Sequence, residues 1–313
     1  MTSRYIPMPI ESLKMDTVIE FDIHLNLKDK YILYREANLP FDESARQKLL
    51  DHNVKEIFID KCDKKKFFTY LEQNINQIID NKTIPPEKKS EFLYDTSKEV
   101  VIDLFENPES GNNIKRGLNI VSSNLGHILA EKSSLYYMLR VASRDYLTYT
   151  HSLNVSIYAI ALASSLNTFN KSEILELARG AMLHDIGKNK ISDTIINKNG
   201  ALTDEEFEQV KKHTAYGVAI LKKTDVVPDK SYLPVSEHQE KGDGSGYPKG
   251  LKLKDISPFG RITAICDVFD ALTTNKPYKP AVSTLNAIKI MSSLKGHFDP
   301  DLFKRFIILM TQK

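Results

Sequence analysis

The sequence predicts a mainly α-helical protein in which a small α/β unit precedes an all-α half. From about Val121 onward, one segment after another carries apolar residues at spacings of three and four, as in helices that bury one face. The first 60 or so residues instead mix strand-like runs with one helix-like run. Between these parts lies a polar stretch with a helical pattern. We expect an α/β domain over 1–64, connector helices over 65–120 and a catalytic domain over 121–313.

The N-terminal unit is predicted from three short runs. TVIEFDIHL and KEIFID are typical of strands, and ESARQKLLDHN between them is typical of a short amphipathic helix. Its histidines, His24 and His52, are isolated, which favours a surface or packing role. We expect the unit to be regulatory or to mediate dimerisation, so that a homodimer is one expected state.

Two breaks divide the connector. The run NKTIPPEKK contains Pro85 and Pro86, which the interior of a helix does not accommodate. The run ENPESGNN is rich in residues that form turns. The connector should therefore consist of helices that end and restart at these two places.

The second half is predicted to contain no strand. Thr203 followed by Glu206 forms a capping box that begins one of its helices. The segments with helical spacing are VSSNLGHILAEKSSLYYMLRVAS, LTYTHSLNVSIYAIALASSL, SEILELARGAMLHDIG, TDEEFEQVKKHTAYGVAILKK, FGRITAICDVFDALTT and STLNAIKIMSSLK.

Composition limits the classes of function. The 313 residues carry 43 basic and 41 acidic side chains, a net charge of +2, which argues against a duplex DNA binder. The near-neutral charge is still compatible with a small anionic ligand held by a few lysines.

The longest apolar stretch, VSIYAIALA, is too short to span a bilayer, and no secretory signal is visible. Two cysteines indicate no disulfide framework, so a cytoplasmic location is expected.

The pair His184–Asp185 is the sharpest chemical feature. It ends an apolar helix, with Gly187 in position to stop that helix. Four of the eight histidines lie inside helical segments or at their edges, and Asp267 lies in a further helix. Histidine and aspartate side chains that project from several helices into one interior are how a helical protein builds a metal site. The four histidines are His151, His184, His213 and His238.

The ligand types restrict the metal. Imidazole and carboxylate without thiolate suit iron, manganese, zinc or nickel. Asp185 is the natural candidate to bridge two ions, and two ions a few ångströms apart are a common device for phosphodiester hydrolysis. A single helical histidine is more often a partly buried structural residue. The glycine-rich loop after His238 is, by itself, equally typical of a plain connection.

Three motifs together resemble the HD-GYP phosphodiesterases, a bacterial branch of the HD-domain metal phosphohydrolases. They are HDIGK at 184–188, the loop that ends in Gly246-Tyr247-Pro248, and DVFDALTTNKPYKPA at 267–281. The resemblance covers roughly Tyr146 to Phe303. It implies an all-α HD-type catalytic domain that hydrolyses cyclic di-GMP to linear pGpG, with GMP as a further product left open. The attacking group would be a hydroxide on a binuclear metal centre, with iron as the first choice of metal and manganese as the second.

The resemblance also assigns residues. Asp185 would bridge the two ions, and Lys188 would contact the scissile phosphate. The loop would shape the substrate pocket and contact a guanine or a partner protein, such as a diguanylate cyclase domain. The implied metal ligands are His151, His184, Asp185, His213, His238 and Asp267. The implied substrate contacts are Lys188, Asp243, Gly244, Gly246, Tyr247, Pro248, Lys276 and Lys279.

Two positions depart from the family pattern. Gln239 stands where a second histidine is usual, and Leu147 stands where some members carry a glutamate. In members with three ions those positions help to hold the third, so their joint loss indicates two ions here, although the Gln239 amide oxygen remains a candidate ligand. The departures leave two alternatives open: a weakly active cyclic di-GMP receptor or interaction module, and an HD-domain phosphohydrolase acting on another nucleotide.

Overall fold

The computed structural model describes residues 4–143, 150–274 and 281–311. The chain forms two compact units, Met1–Thr96 and Ser97–Lys313. The predicted mainly α architecture with a small N-terminal α/β unit is confirmed. The finer division at 64 and 120 stays a prediction. Cys62 and Cys266 are both free, as their number indicated.

The N-terminal unit is built on a four-stranded antiparallel sheet in the order β1-β6-β3-β4, beside a two-stranded ribbon of β2 and β5. Its core is apolar and includes Phe21, Phe41 and Phe67, all fully buried. The predicted strands correspond to β2, β3 and β6, whereas β1, β4 and β5 were not predicted. The elements are β1 Tyr5–Pro9, β2 Thr17–Ile19, β3 Ile23–Leu27, β4 Lys30–Arg35, β5 Leu39–Phe41, α1 Glu43–Asp51, β6 Glu56–Asp60 and α2 Lys64–Asp80.

The connector breaks lie where the sequence placed them. Helix α2 ends at Asp80, and α3 runs from Pro86 to Glu106, so that Pro85 precedes the helix and Pro86 is its first residue. The turn-rich run then separates α3 from α4, which begins at Gly111.

Among the described residues of the second unit, the regular elements are helices, and one isolated bridge joins Asp243 and Lys252. Its helices are α4 Gly111–Ala130, α5 Lys132–Ala142, α6 His151–Leu166, α7 Lys171–Leu183, α8 Asp193–Ile196, α9 Asp204–Lys211, α10 His213–Thr224, α11 Tyr232–Glu237, α12 Pro258–Thr273, α13 Thr284–Ser293 and α14 Pro300–Thr311. None of the described helices is long and apolar enough to cross a membrane.

Two segments that were each predicted as one helix are divided into two helices in the structure. The segment 121–143 breaks at Glu131, whose extended backbone (φ −159°, ψ 155°) separates α4 from α5. The segment 203–223 breaks at Lys212. The predicted capping box of Thr203 and Glu206 does begin α9. Because α10 begins after Lys212, His213 is its first residue, and the His213 Nδ1 lies 2.7 Å from the carbonyl oxygen of Val210 in α9.

Helix α6 organises the unit. Twelve of its sixteen residues are buried, as expected of a central helix that is apolar on all sides. It packs against α7 and α12, and the Ser156 hydroxyl donates to the carbonyl oxygen of Ala178 in α7 at 2.8 Å. This packing holds the start of α6 beside the end of α7 and the middle of α12.

Candidate metal centre

The six predicted metal ligands come together where five helices meet. His151 is the first residue of α6, and His213 is the first residue of α10. His184 and Asp185 directly follow α7, His238 directly follows α11, and Asp267 lies within α12. Their ligand atoms form three overlapping groups, each within 4.8 Å. The six side chains are buried, except that His151 retains 19% exposure.

Three of the histidines have a tautomer fixed by the backbone. Their Nδ1 atoms lie 2.7 to 2.9 Å from the carbonyl oxygens of Ala181, Val210 and Pro234. Because a carbonyl oxygen can only accept, each Nδ1 must carry the proton and each Nε2 keeps its lone pair. The Nε2 atoms of His184, His213 and His238 are therefore prepared as ligands.

His151 is held differently. Its Nδ1 lies 2.7 Å from Oδ2 of Asp270, and its Nε2 lies 3.1 Å from Oδ1 of Asp267. Burial alone would lower the pKa of His151, but the hydrogen bonds with these two carboxylates raise it to about 10. Without metal the ring thus carries two protons. A metal ion at Nε2 would replace one of them.

Asp185 divides the four histidines into two pairs. Its Oδ2 lies 3.3 Å from Nε2 of His184 and 3.7 Å from Nε2 of His151. Its Oδ1 lies 3.6 Å from Nε2 of His213 and 3.7 Å from Nε2 of His238. We call the group around Oδ2, which includes Oδ1 of Asp267, site 1, and the group around Oδ1 site 2. One carboxylate thus faces both sites, the arrangement needed for a bridging ligand.

Unsatisfied buried atoms show that the cluster fits metal ions. Nε2 of His184 and Oδ1 of Asp185 are buried without a hydrogen-bond partner. Nε2 of His213 lies 3.1 Å from Nε2 of His238. Burial lowers the pKa of both rings, that of His238 to about 3, so at neutral pH two lone pairs face each other. Such an arrangement is costly unless cations bind there.

Both carboxylates are ionised. Burial acts to raise the pKa of Asp185, but the positive charge of Lys188 holds it well below its usual range. For Asp267 burial likewise opposes ionisation, but the hydrogen bond with His151 and the positive charge of that ring lower the pKa. Nζ of Lys188 lies 2.5 Å from Oδ2 of Asp185, and the lysine side chain is 39% exposed. It therefore places a positive charge on the solvent-exposed side of the cluster, which we call the mouth of the centre.

Gly187 does not stop helix α7 as predicted. The helix ends at Leu183, and Gly187 lies in the 3-10 helix Ile186–Lys190 without a left-handed backbone. Glycine is required at position 187 for steric reasons. A Cβ at this position would lie 1.9 Å from the carbonyl oxygen of His213 and 2.4 Å from the backbone nitrogen of Gly217. The absence of a side chain lets the His184–Asp185 segment approach the start of α10.

The loop after His238 is rigidly anchored beside site 2. The buried Glu240 carboxylate accepts hydrogen bonds from the backbone nitrogens of Lys249 and Leu251, at 2.7 and 2.8 Å. A Cβ on Gly246 would lie 2.3 Å from the backbone nitrogen of Lys241, so glycine is required there. The Tyr247 ring consequently lies 6.1 Å from the ring of His213.

The remaining predicted substrate contacts have different positions. Asp243 and Pro248 are exposed on the same loop, and Gly244 adopts a positive φ of 81°. Lys276, Lys279 and Leu147 lie outside the described residues. The amide nitrogen of Gln239 donates to Oδ2 of Asp267 at 3.1 Å. Its hydrogen bond leaves Oδ1 of Asp267 to face site 1.

Sequence reasoning missed Asp270. This residue is 1% exposed and accepts hydrogen bonds from Nδ1 of His151, Nδ2 of Asn154 and Oγ1 of Thr274. Its spacing of three residues from Asp267 places both carboxylates on one face of α12. That spacing was the available signal.

Comparisons with known proteins agree with this geometry. The family model described as HD domain matches residues 119–302. A cyclic di-GMP phosphodiesterase of Pseudomonas aeruginosa is 34% identical over 218 residues, which cover 69% of this chain and 52% of that protein. A 3'3'-cGAMP-specific phosphodiesterase of Vibrio cholerae is 33% identical, over 66% of this chain and 46% of that protein. The chain thus spans about half the length of these curated relatives.

A solved structure shares the fold along nearly the whole chain. It is that of a HDG"Y"P protein from Bdellovibrio bacteriovorus, with a TM-score of 0.68 and 22% identity. The alignment covers 98% of this chain and 100% of that one. At this identity the likeness concerns the fold.

The close approach at Gly187 yields a prediction. Gly187→Ala should displace α10 from the His184–Asp185 segment and lower the free energy of unfolding by about 1–3 kcal/mol, as overpacking typically does. It should also reduce the number of Mn²⁺ ions bound per chain, measured by equilibrium dialysis. Gly126→Ala is the matched control, since a Cβ there meets nothing within 4 Å. Unchanged metal binding by Gly187→Ala would contradict this account of the approach.

Proposed function

The chain belongs to the HD domain family, and we propose that its helical unit is a metal-dependent phosphodiesterase that hydrolyses cyclic di-GMP. The observation that carries the proposal is the position of Asp185 between two pairs of histidines. Relatives from several bacteria that are named cyclic di-GMP phosphodiesterases, at 34 to 37% identity, support the substrate class.

The six ligands would hold two divalent ions. Ions at such a centre activate water at neutral pH and stabilise negative charge on phosphoryl oxygens. Nitrogen and oxygen donors without thiolate are compatible with iron, our first choice, and with manganese. With the Gln239 amide directed at Asp267, we propose a centre of two ions.

The residues around the centre have separate tasks in this proposal. Lys188, at the mouth, would bind a non-bridging oxygen of the scissile phosphate and stabilise the charge that builds there. Tyr247, fixed beside His213, would form one wall of the substrate pocket. Asp243, Gly244 and Pro248 of its loop would contact a guanine or a partner protein. Lys276 and Lys279 would bind phosphate.

Hydrolysis would open one phosphodiester of the ring. A water oxygen bonds to phosphorus, the bond from phosphorus to the ribose 3′ oxygen breaks, and that oxygen gains a proton. The product is linear pGpG. Cleavage of a second diester would give GMP.

A second substrate has specific support. Relatives at 33 and 37% identity are named 3'3'-cGAMP-specific phosphodiesterases, so their similarity to this chain equals that of the cyclic di-GMP enzymes. The two substrates differ in one base and share both phosphodiesters. Discrimination would therefore arise in the base contacts of the loop rather than at the metal ligands.

Turnover tests the proposal. The protein, loaded anaerobically with ferrous iron, is offered cyclic di-GMP and 3'3'-cGAMP separately, and products are followed by chromatography. We expect pGpG from cyclic di-GMP, at a rate well above that with 3'3'-cGAMP, and no product from His184→Ala. Faster cleavage of 3'3'-cGAMP would reassign the substrate. Binding of cyclic di-GMP without product, in protein that contains two ions, would identify a receptor instead.

Lys188 provides a sharper prediction. Lys188→Met should lower kcat by roughly 10²–10³-fold, the usual cost of removing one group that stabilises transition-state charge, while both ions stay bound. Lys190→Met is the matched control, because Lys190 lies two residues on and pairs with Glu109 at 2.6 Å. Equal effects of the two substitutions on kcat would contradict the role given to Lys188.

A further inference from the structure

We infer that the two sites bind metal with unequal affinity and fill in order, site 1 first, and that Asp270 sets the difference. The inference rests on the proposed metal centre and concerns how that centre is assembled. It is carried by the unequal distribution of buried charge on the two sides of Asp185.

Site 1 is surrounded by more negative charge than site 2. Oδ2 of Asp185 and Oδ1 of Asp267 both face site 1, the latter 3.1 Å from Nε2 of His151 and 3.9 Å from Nε2 of His184. Site 2 has Oδ1 of Asp185 and the imidazoles of His213 and His238. The Asp267 carboxylate is also grouped with His238, within 4.8 Å, but its 3.1 Å contact is with His151 of site 1. A divalent ion gains more from two carboxylate oxygens than from one, and burial strengthens this difference.

Asp270 adds a third carboxylate behind site 1. Its Oδ2 lies 2.7 Å from Nδ1 of His151, and the carboxylate is almost fully buried. The Asn154 amide and the Thr274 hydroxyl each donate to it at 3.0 Å, which fixes its orientation. The Nδ1 atoms of the other three histidines donate to uncharged backbone carbonyl oxygens instead.

A carboxylate behind a ligating imidazole does two things. It holds the ring in one orientation, and it makes the outer nitrogen a stronger electron donor to a metal. Removing such a partner typically weakens metal binding by roughly 10–100-fold. Of the two sites, site 1 contains the histidine that has this support, so the effect should be confined to that site.

The positive charge of Lys188 acts against the negative charge around site 1. Its Nζ contacts Oδ2 of Asp185, on the side of site 1, but its charge also acts on His213 in site 2. At 39% exposure the lysine can move away from the carboxylate into solvent when an ion binds. Asp270, buried and held by three donors, stays in place.

The consequence is a centre that responds to metal supply. Protein with limited metal would hold one ion in site 1, while His213 and His238 stay free. Occupancy of site 2, beside Tyr247 and its loop, would then decide whether the two-metal centre is complete.

The test is a titration of the metal-free full chain with Mn²⁺ alone, by calorimetry. We expect two binding steps whose dissociation constants differ tenfold or more. At one equivalent, the electron paramagnetic resonance spectrum should be that of isolated ions, with the signal of coupled pairs growing towards two equivalents. Asp270→Asn keeps the shape of the side chain, and it should weaken the tight step by roughly 10–100-fold while leaving the weak step in place. His238→Ala should abolish the weak step and spare the tight one.

Three results would overturn the inference. They are two steps of equal affinity, coupled pairs already dominant at one equivalent, and an Asp270→Asn variant that folds normally by circular dichroism yet weakens both steps equally. If the wild-type chain bound no Mn²⁺ at all, that result would instead contradict the proposed metal-dependent function. Failure of the inference is thus distinguishable from failure of the function.

Discussion

The burial of one ionised carboxylate is the constraint on which the helical unit depends. Asp185 is 5% exposed, yet the charges around it hold its pKa well below the usual range, so it stays charged. A buried charge without partners costs several kcal/mol. The charge is tolerable because the Lys188 ammonium and the protonated His151 ring lie beside Oδ2, and because cations can bind between the ligand atoms. The unit therefore gives up stability at its centre to keep a site that attracts divalent ions.

The surrounding helices offset that cost and supply the geometry. Helix α6 is buried along most of its length, and α7 and α12 pack against it. Because His184, His213 and His238 lie just beyond helix ends, spare backbone carbonyls are available to hold their Nδ1 atoms. Glycine at position 187 permits the contact with α10 that joins the two halves of the centre.

Much of this was predictable from the sequence, for identifiable reasons. Helical segments could be located because apolar spacing records which face of a helix is buried, and the ligand set followed from motifs that match a known family. Breaks such as those at Glu131 and Lys212 could not be predicted, since apolar spacing continues across them and tertiary packing decides. Strand β1 was missed because Pro7 and Pro9 lower the strand propensity of an edge strand.

The finer chemistry of the centre was also beyond the sequence. Which nitrogen of each histidine faces inward depends on carbonyls that are three or four residues away, and these are placed only by the helix ends. The role of Asp270 depends on a contact with a residue 119 positions earlier in the chain. Gly187 was predicted to stop a helix. In the structure its role is steric, because a side chain there would collide with the backbone of α10.

We propose that Asp185 bridges two metal ions. The most direct test is a crystal structure of the iron-loaded protein with anomalous diffraction measured at the iron absorption edge. We expect two anomalous peaks, one within bonding distance of each Asp185 oxygen. His151, His184 and Asp267 should surround one peak, and His213 and His238 the other. A single peak, or two peaks of which neither lies at Asp185, would contradict it.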